Sequence, residues 1–250
     1  MTRDQRPSVI PILLVAAFVV ILNETTMNVA LSSIMTDLGV DERTAQWLTT
    51  AFMLTMAVVI PITGWLLDRL PTRRVFQLAM LSFSVGTLLC MIAPSFAFLL
   101  AGRVVQASGT AIMMPLLMTT VMQLVPANGR GKVMGNISMV ISMAPAVGPT
   151  LSGIILQLGS WRLIFGVVLP IALAMLLLGS RKLGDVGERK LTPLDAVSIP
   201  LTVIAFGPLV YGLSLVGAED VEFWVPMLSI GIGIGGLVAF VARQLVLQGR

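Results

Sequence analysis

Eight apolar blocks run through this chain, at 9–31, 46–67, 75–93, 96–123, 133–157, 161–179, 194–216 and 223–242, separated by short charged segments. A helix needs roughly 20 apolar residues to cross the hydrocarbon layer of a bilayer, and the blocks have that length. Of the 250 residues 56% are hydrophobic and only 11% charged, whereas a soluble domain is roughly 25% charged. So much apolar surface cannot be hidden in a water-soluble core, which excludes a soluble enzyme and a nucleic-acid binder. The sequence predicts an all-α polytopic membrane protein in the cell (inner or plasma) membrane, with the lipid bilayer as its main partner.

The charges then set the topology. Basic residues gather in alternate connections: Arg3 and Arg6, then Arg69, Arg73 and Arg74, then Arg130 and Lys132, then Arg181, Lys182, Arg189 and Lys190, and finally Arg243 and Arg250. The intervening connections hold Arg43 and Arg162 among Asp37, Asp41, Glu42, Glu219, Asp220 and Glu222. By the positive-inside rule both termini are predicted cytoplasmic. Trp47, Trp65, Trp161 and Trp224 fall at block ends, where interfacial aromatics belong. The net charge of +4 therefore reports topology, and no nucleic acid is expected. With no His and only Cys90, inside an apolar block, neither a metal site, a cofactor nor an intrachain disulfide is expected. Residues 1–7 with the apolar stretch behind them imitate a signal peptide, but the run is too long and is interrupted by Asn23 and Glu24.

The longest polar linker, 181–193, divides a six-helix unit, 1–180, from a helix pair, 194–250. A weak internal echo pairs Gly64 and Asp68 with Gly153 and Gln157 at equal spacing, as nested transporter repeats would.

The residues that can carry chemistry are polar ones inside the blocks. "LNETTMNVAL" puts Asn23, Glu24, Thr25, Thr26 and Asn28 in the first. A charged side chain at mid-bilayer costs roughly 2.5 to 3.5 kcal/mol, so Glu24 must face protein or water, be protonated, or pair with a cation. Each option makes it a candidate proton carrier; the structural reading is a polar patch joining helices. Arg103 is the one basic residue deep inside a block, Arg162 standing at the very edge of another, and it needs an acceptor. Glu24 lies seven residues before Leu31 and Arg103 seven after Phe96, so both sit about 10 Å from the same end of their helices and a contact is expected. Gln106, three residues on from Arg103, shares its face. The alternative partners for Arg103 are carbonyls of broken helical turns.

"GWLLDRLPTRR" places Asp68 at the C-terminal end of the second helix, the unfavourable end for an anion. Partners are expected among Arg69, Arg73 and Arg74, with Gly64 letting a neighbouring helix approach, so the segment reads as a cytoplasmic latch. In the fifth block, Pro145, Gly148, Pro149 and Gly153 suggest a kinked, closely packed helix acting as a gate or seal. Gly231, Gly233 and Gly236 satisfy a dinucleotide-binding spacing only formally and read as a packing face, with Gly231 and Gly235 as its small pair. The 16 Met residues, Met27, Met53, Met113, Met114, Met118, Met139 and Met143 among them, suit an adaptable cavity lining, or plain lipid contact and packing.

Together these motifs resemble the major facilitator superfamily, and within it the N-terminal part of the fourteen-helix drug:proton antiporter branch of EmrB/QacA type. The resemblance covers essentially the whole chain. Gly64, Asp68, Arg69, Arg73 and Arg74 match the superfamily's loop signature, with Pro71 and Thr72 departing from it. Arg103, Gln106 and Gly109 match the helix 4 motif, Ala107 replacing a usual glycine, and Gly148, Pro149 and Gly153 match the helix 5 antiporter motif, with Ser152 at a usual glycine. Asn23 stands where the branch usually has aspartate, and the acid is Glu24. The resemblance implies a six-helix N-terminal bundle plus two inserted helices, with a C-terminal bundle in cis, or a second copy, completing the transporter. It also implies proton-coupled export of small amphipathic or cationic drugs by alternating access, with Asn23, Glu24, Asn28, Arg103 and Gln106 at the proton and substrate site. Two alternatives stay open: an exporter of one metabolite, lipid or peptide, and a truncated membrane partner with no transport of its own.

Overall fold

The computed structural model describes residues 6–184, 198–216 and 221–248. Among these the chain is helical throughout: α1 (Arg6–Leu38), α2 (Glu42–Arg69), α3 (Thr72–Met91), α4 (Phe96–Leu124), α5 (Ala127–Leu158), α6 (Arg162–Lys182), α7 (Ser198–Leu215) and α8 (Trp224–Gln248). Seven are long and apolar enough to cross a membrane, while α7 offers a shorter apolar stretch, Pro200–Leu215. The all-helical fold expected from the apolar blocks is what forms. Most of the expected linker, from residue 185 on, and Arg3, Arg189, Lys190, Glu219, Asp220 and Arg250 lie outside the described residues.

Helix ends follow capping chemistry more closely than they follow hydropathy. α1 runs about two turns beyond its apolar block and stops where Gly39 takes a φ of 63° and Val40 N–H reaches back to Met35 O at 3.2 Å. Ser95 caps α4, its hydroxyl oxygen accepting from Phe98 N–H at 3.4 Å. At the other end Arg130 donates to Met122 O at 2.8 Å and Val125 O at 2.9 Å, satisfying carbonyls that the last turn leaves over. α5 runs unbroken through Pro145 and Pro149.

α1 to α6 form one bundle. α1 packs on α4, α5 and α6, while α3 packs on α4 and α6, and α2 lies against α4. α7 and α8 form a hairpin that leans on α2 through α7, where the Trp47 and Tyr211 rings lie 5.8 Å apart. Lipid gives helices no hydrophobic reason to associate, so small residues set their seams. In the hairpin that seam is Gly233 and Gly236: a Cβ on Gly233 would stand 2.6 Å from Leu209 Cβ, and one on Gly236 2.8 Å from Ala205 Cα. The expected pair, Gly231 and Gly235, instead faces open space on the other side of α8.

The bundle core has two apolar layers. One joins Val9, Leu13 and Ala16 of α1 to Val75, Phe76 and Phe83 of α3 and Met113 and Leu117 of α4. The other joins Met27 and Ile34 of α1 to Leu48, Cys90, Leu99, Trp161 and Phe165. Between them α3 and α4 touch backbone to backbone, since a Cβ on Gly86 would lie 2.3 Å from Gln106 N. Gly86→Ala is therefore expected to force the helices apart at a cost of about 1–3 kcal/mol. Gly135→Ala, which meets nothing within 4 Å, serves as the control. A lower thermal midpoint for Gly86→Ala alone is the expected result in detergent, and equal midpoints for the two variants would refute the contact.

Candidate functional site

The space between the two apolar layers is filled by polar side chains from α1, α3 and α4. Arg103 is buried, with its Nη1 donating to Gln106 Oε1 at 2.7 Å and, at greater length, to Asn23 Oδ1 at 3.4 Å. Gln106 passes the chain on, its Nε2 donating to Thr87 Oγ1 at 2.8 Å, and the Thr87 hydroxyl donates to Phe83 O at 2.7 Å. Because arginine can only donate, each link has one direction, and the Gln106 amide orientation is fixed by both neighbours. On its other side the guanidinium carbon sits 4.0 Å from the centroid of the Phe52 ring on α2, a cation–π contact. Two donors, Arg103 Nε and Asn23 Nδ2, are buried without an acceptor among the described residues.

Glu24 stands beside this network and outside it. It is half-buried and makes no hydrogen bond or ion pair among the described residues. The expected contact with Arg103 is replaced by the contact to Asn23, for a geometric reason. Successive helical residues diverge by about 100°, so when Asn23 points at α4 its neighbour cannot. Glu24 and Arg103 interact only through space. Asn28 lies on an exposed side of α1, away from the network.

α5 seats directly on this part of α1. Its buried small residues Ala144, Gly148 and Ser152 recur every fourth position. The Ser152 hydroxyl donates to Thr26 O at 3.0 Å, and the Thr25 hydroxyl donates to Leu22 O at 2.9 Å and approaches Ala144 O at 3.4 Å. A Cβ on Gly148 would stand 2.3 Å from Thr25 Oγ1, so only glycine allows this approach. The helix 5 motif therefore divides. Gly148 faces α1 one residue from Glu24, Pro145 and Pro149 are exposed, and a Cβ on Gly153 would meet nothing within 4 Å.

The residues expected to form a latch are not drawn together within this chain. Asp68 is exposed and makes no hydrogen bond or ion pair among the described residues. Arg69 turns over the Trp65 ring at 5.5 Å, Arg73 is exposed, and Arg74 lines a groove between α3 and α6. Gly64, expected at a close helix approach, faces open space.

Sequence reasoning missed Thr87, Phe52 and Gly86. It also missed a second cluster at the far end of the bundle. There Asp37 Oδ2 accepts from Arg162 Nη1 at 2.6 Å and Trp161 Nε1 at 3.0 Å, and Arg162 Nη2 donates to Ala93 O at 2.8 Å. This ties the end of α1 and the α3–α4 turn to the start of α6. Opposite charges at the end of α1 and the start of α6 were its only sequence signal.

Residues 13–248 match the family described as Major Facilitator Superfamily. The chain belongs to that superfamily. The uncharacterized MFS-type transporter YcnB of Bacillus subtilis (strain 168) is 42% identical over 97% of this chain and 52% of its own length. The lincomycin resistance protein LmrB of the same organism is 38% identical over 98% of this chain and 52% of its own. Among solved structures, the human organic anion transporter MFSD10 (TETRAN) aligns with a TM-score of 0.63 at 17% identity, covering 92% of this chain and 60% of that one, a likeness of fold. This Major Facilitator chain spans about half the length of the curated relatives it matches. The superfamily and the multi-pass membrane fold expected from the sequence are thus borne out, and the family is one of transporters, not enzymes.

Proposed function

We propose that this chain works as the N-terminal half of a proton-coupled exporter of amphipathic or cationic drugs, cycling by alternating access. The observation that carries the reading is Glu24: a carboxyl on a membrane helix, half-open and without a hydrogen bond or ion pair among the described residues, one residue from the network that holds Arg103. A group so placed exchanges a proton without first breaking a hydrogen bond. Asn23, Arg103 and Gln106 hold the adjoining helices in register, and Asn28 lines the open side of α1. The lincomycin resistance of a relative at 38% identity supports a drug as cargo. Apolar side chains on α2 and α5, Met53 and Ile60 on one and Met139, Met143 and Ile154 on the other, are exposed. In this reading those two faces seat the second bundle, the exposed 68–74 segment engages it as a latch, and Gly148 transmits movement of α5 to the Glu24 segment.

The test uses the longest product of this gene in inverted vesicles, following uptake of a fluorescent lipophilic cation together with lumenal pH. The expected result is uptake that requires an acid lumen, dissipates the pH gradient and stops when an ionophore collapses it. Uptake indifferent to the gradient would reject the proton coupling, and no uptake of any cationic probe would reject the drug cargo.

A further inference from the structure

Away from the α1–α3–α4 network, an open groove of about 610 Å³ runs between α3 and α6. Arg74, Gln77, Leu78 and Leu81 line it from α3, at the spacing of one helical stripe, and Leu176, Leu177 and Ser180 line it from α6. The groove is sorted along its length. α3 begins and α6 ends on the side that the positive-inside rule assigns to the cytoplasm. Arg74, Gln77 and Ser180 therefore stand at the cytoplasmic mouth, with Leu70 beside them at the end of α2 and the other leucines as much as about 10 Å deeper. Leu78, Leu81 and Leu177 are 46%, 53% and 60% exposed, so no helix among the described residues covers them. Arg73, Arg181 and Lys182, all exposed, add positive charge around the mouth.

A cationic, hydrogen-bonding mouth above a leucine trough has the layout of a phospholipid turned inside out. A partner helix would need no cation at one end, and a free phosphate would need no trough. The cytoplasmic leaflet is also where anionic lipids concentrate. We propose that the α3–α6 groove binds one anionic phospholipid of that leaflet, its phosphate held by Arg74 and Gln77 and an acyl chain lying along Leu78, Leu81 and Leu177.

The test places a tryptophan reporter in the trough, Leu81→Trp in one protein and Leu177→Trp in a second, in case either substitution perturbs folding. Each is reconstituted in vesicles with brominated phosphatidylglycerol or brominated phosphatidylcholine, and quenching of the parent protein's own tryptophans is subtracted. Preferential quenching by the anionic lipid is expected, falling about fivefold when Arg74→Gln is added, the effect of one basic side chain beside an anionic leaflet. Arg73→Gln, next in sequence but outside the groove, should leave most of the preference. Equal quenching by both lipids, a preference indifferent to Arg74→Gln, or an equal loss with Arg73→Gln would each overturn the site.

Discussion

Glu24→Gln should leave a folded protein that no longer couples transport to the proton gradient. In inverted vesicles an acid lumen should drive cation uptake by the parent, while the variant should fall to the level of protein-free vesicles and leave the gradient intact. Glutamine keeps the size and polarity of the side chain and removes its charge and its ability to exchange a proton. Since Glu24 makes no hydrogen bond or ion pair among the described residues, the substitution breaks nothing in the Asn23–Arg103–Gln106 network. Removing an ionisable group from a membrane helix also relieves a cost of roughly 2.5 to 3.5 kcal/mol when that group is charged. The thermal midpoint should accordingly match or exceed that of the parent. Equilibrium binding of the cation, measured without a gradient, separates a coupling acid from a substrate ligand: it should persist in Glu24→Gln. Gradient-driven uptake at the parental rate in the variant would remove Glu24 from the coupling role.

The same pair of neighbours marks how far the sequence could be read. Polar residues within apolar runs are conspicuous because lipid penalises them, so Asn23, Glu24, Arg103 and Gln106 were legible as a group. Their pairing was not. Depth along a helix follows from counting residues, but azimuth depends on how the whole helix is rotated by its packing, and one position of difference decided that Asn23 meets Arg103. The helix 5 motif divided for the same reason, with 144, 148 and 152 on one face and 145, 149 and 153 a third of a turn away. Thr87 was hidden because threonine in a membrane helix usually satisfies itself on its own helix. Thr63 and Thr120 donate to Val59 O and Leu116 O as Thr87 does to Phe83 O, and only Thr87 also accepts from a glutamine. Phe52 carries no mark that separates it from the other nine phenylalanines. The apolar blocks gave the helices themselves, yet a hydropathy boundary locates the edge of the lipid and a cap locates the end of the helix, which is why α1 continues to Leu38.

Arg103 should separate stability from function more sharply than any other residue here. Its guanidinium is enclosed, donates to two neutral amide oxygens and stacks on Phe52, and no carboxylate within salt-bridge distance compensates its charge among the described residues. Desolvating an unpaired cation is expensive, so removing it offsets the cost of leaving Gln106 Oε1 and Asn23 Oδ1 without this donor. One of its donors, Nε, also lacks an acceptor, which adds a further penalty. Arg103→Met is therefore expected to raise the thermal midpoint in detergent or leave it unchanged, and to abolish gradient-driven uptake. Arg103→Lys keeps the charge but loses the planar fork that reaches Gln106 and Asn23 while lying on the ring. It should be less stable than the parent and only partly active. A residue that serves packing alone would show the reverse order, with Arg103→Met losing stability and transport together. Unimpaired uptake by Arg103→Met would show that the network is structural glue, and the transport role would then have to rest on Glu24 without it.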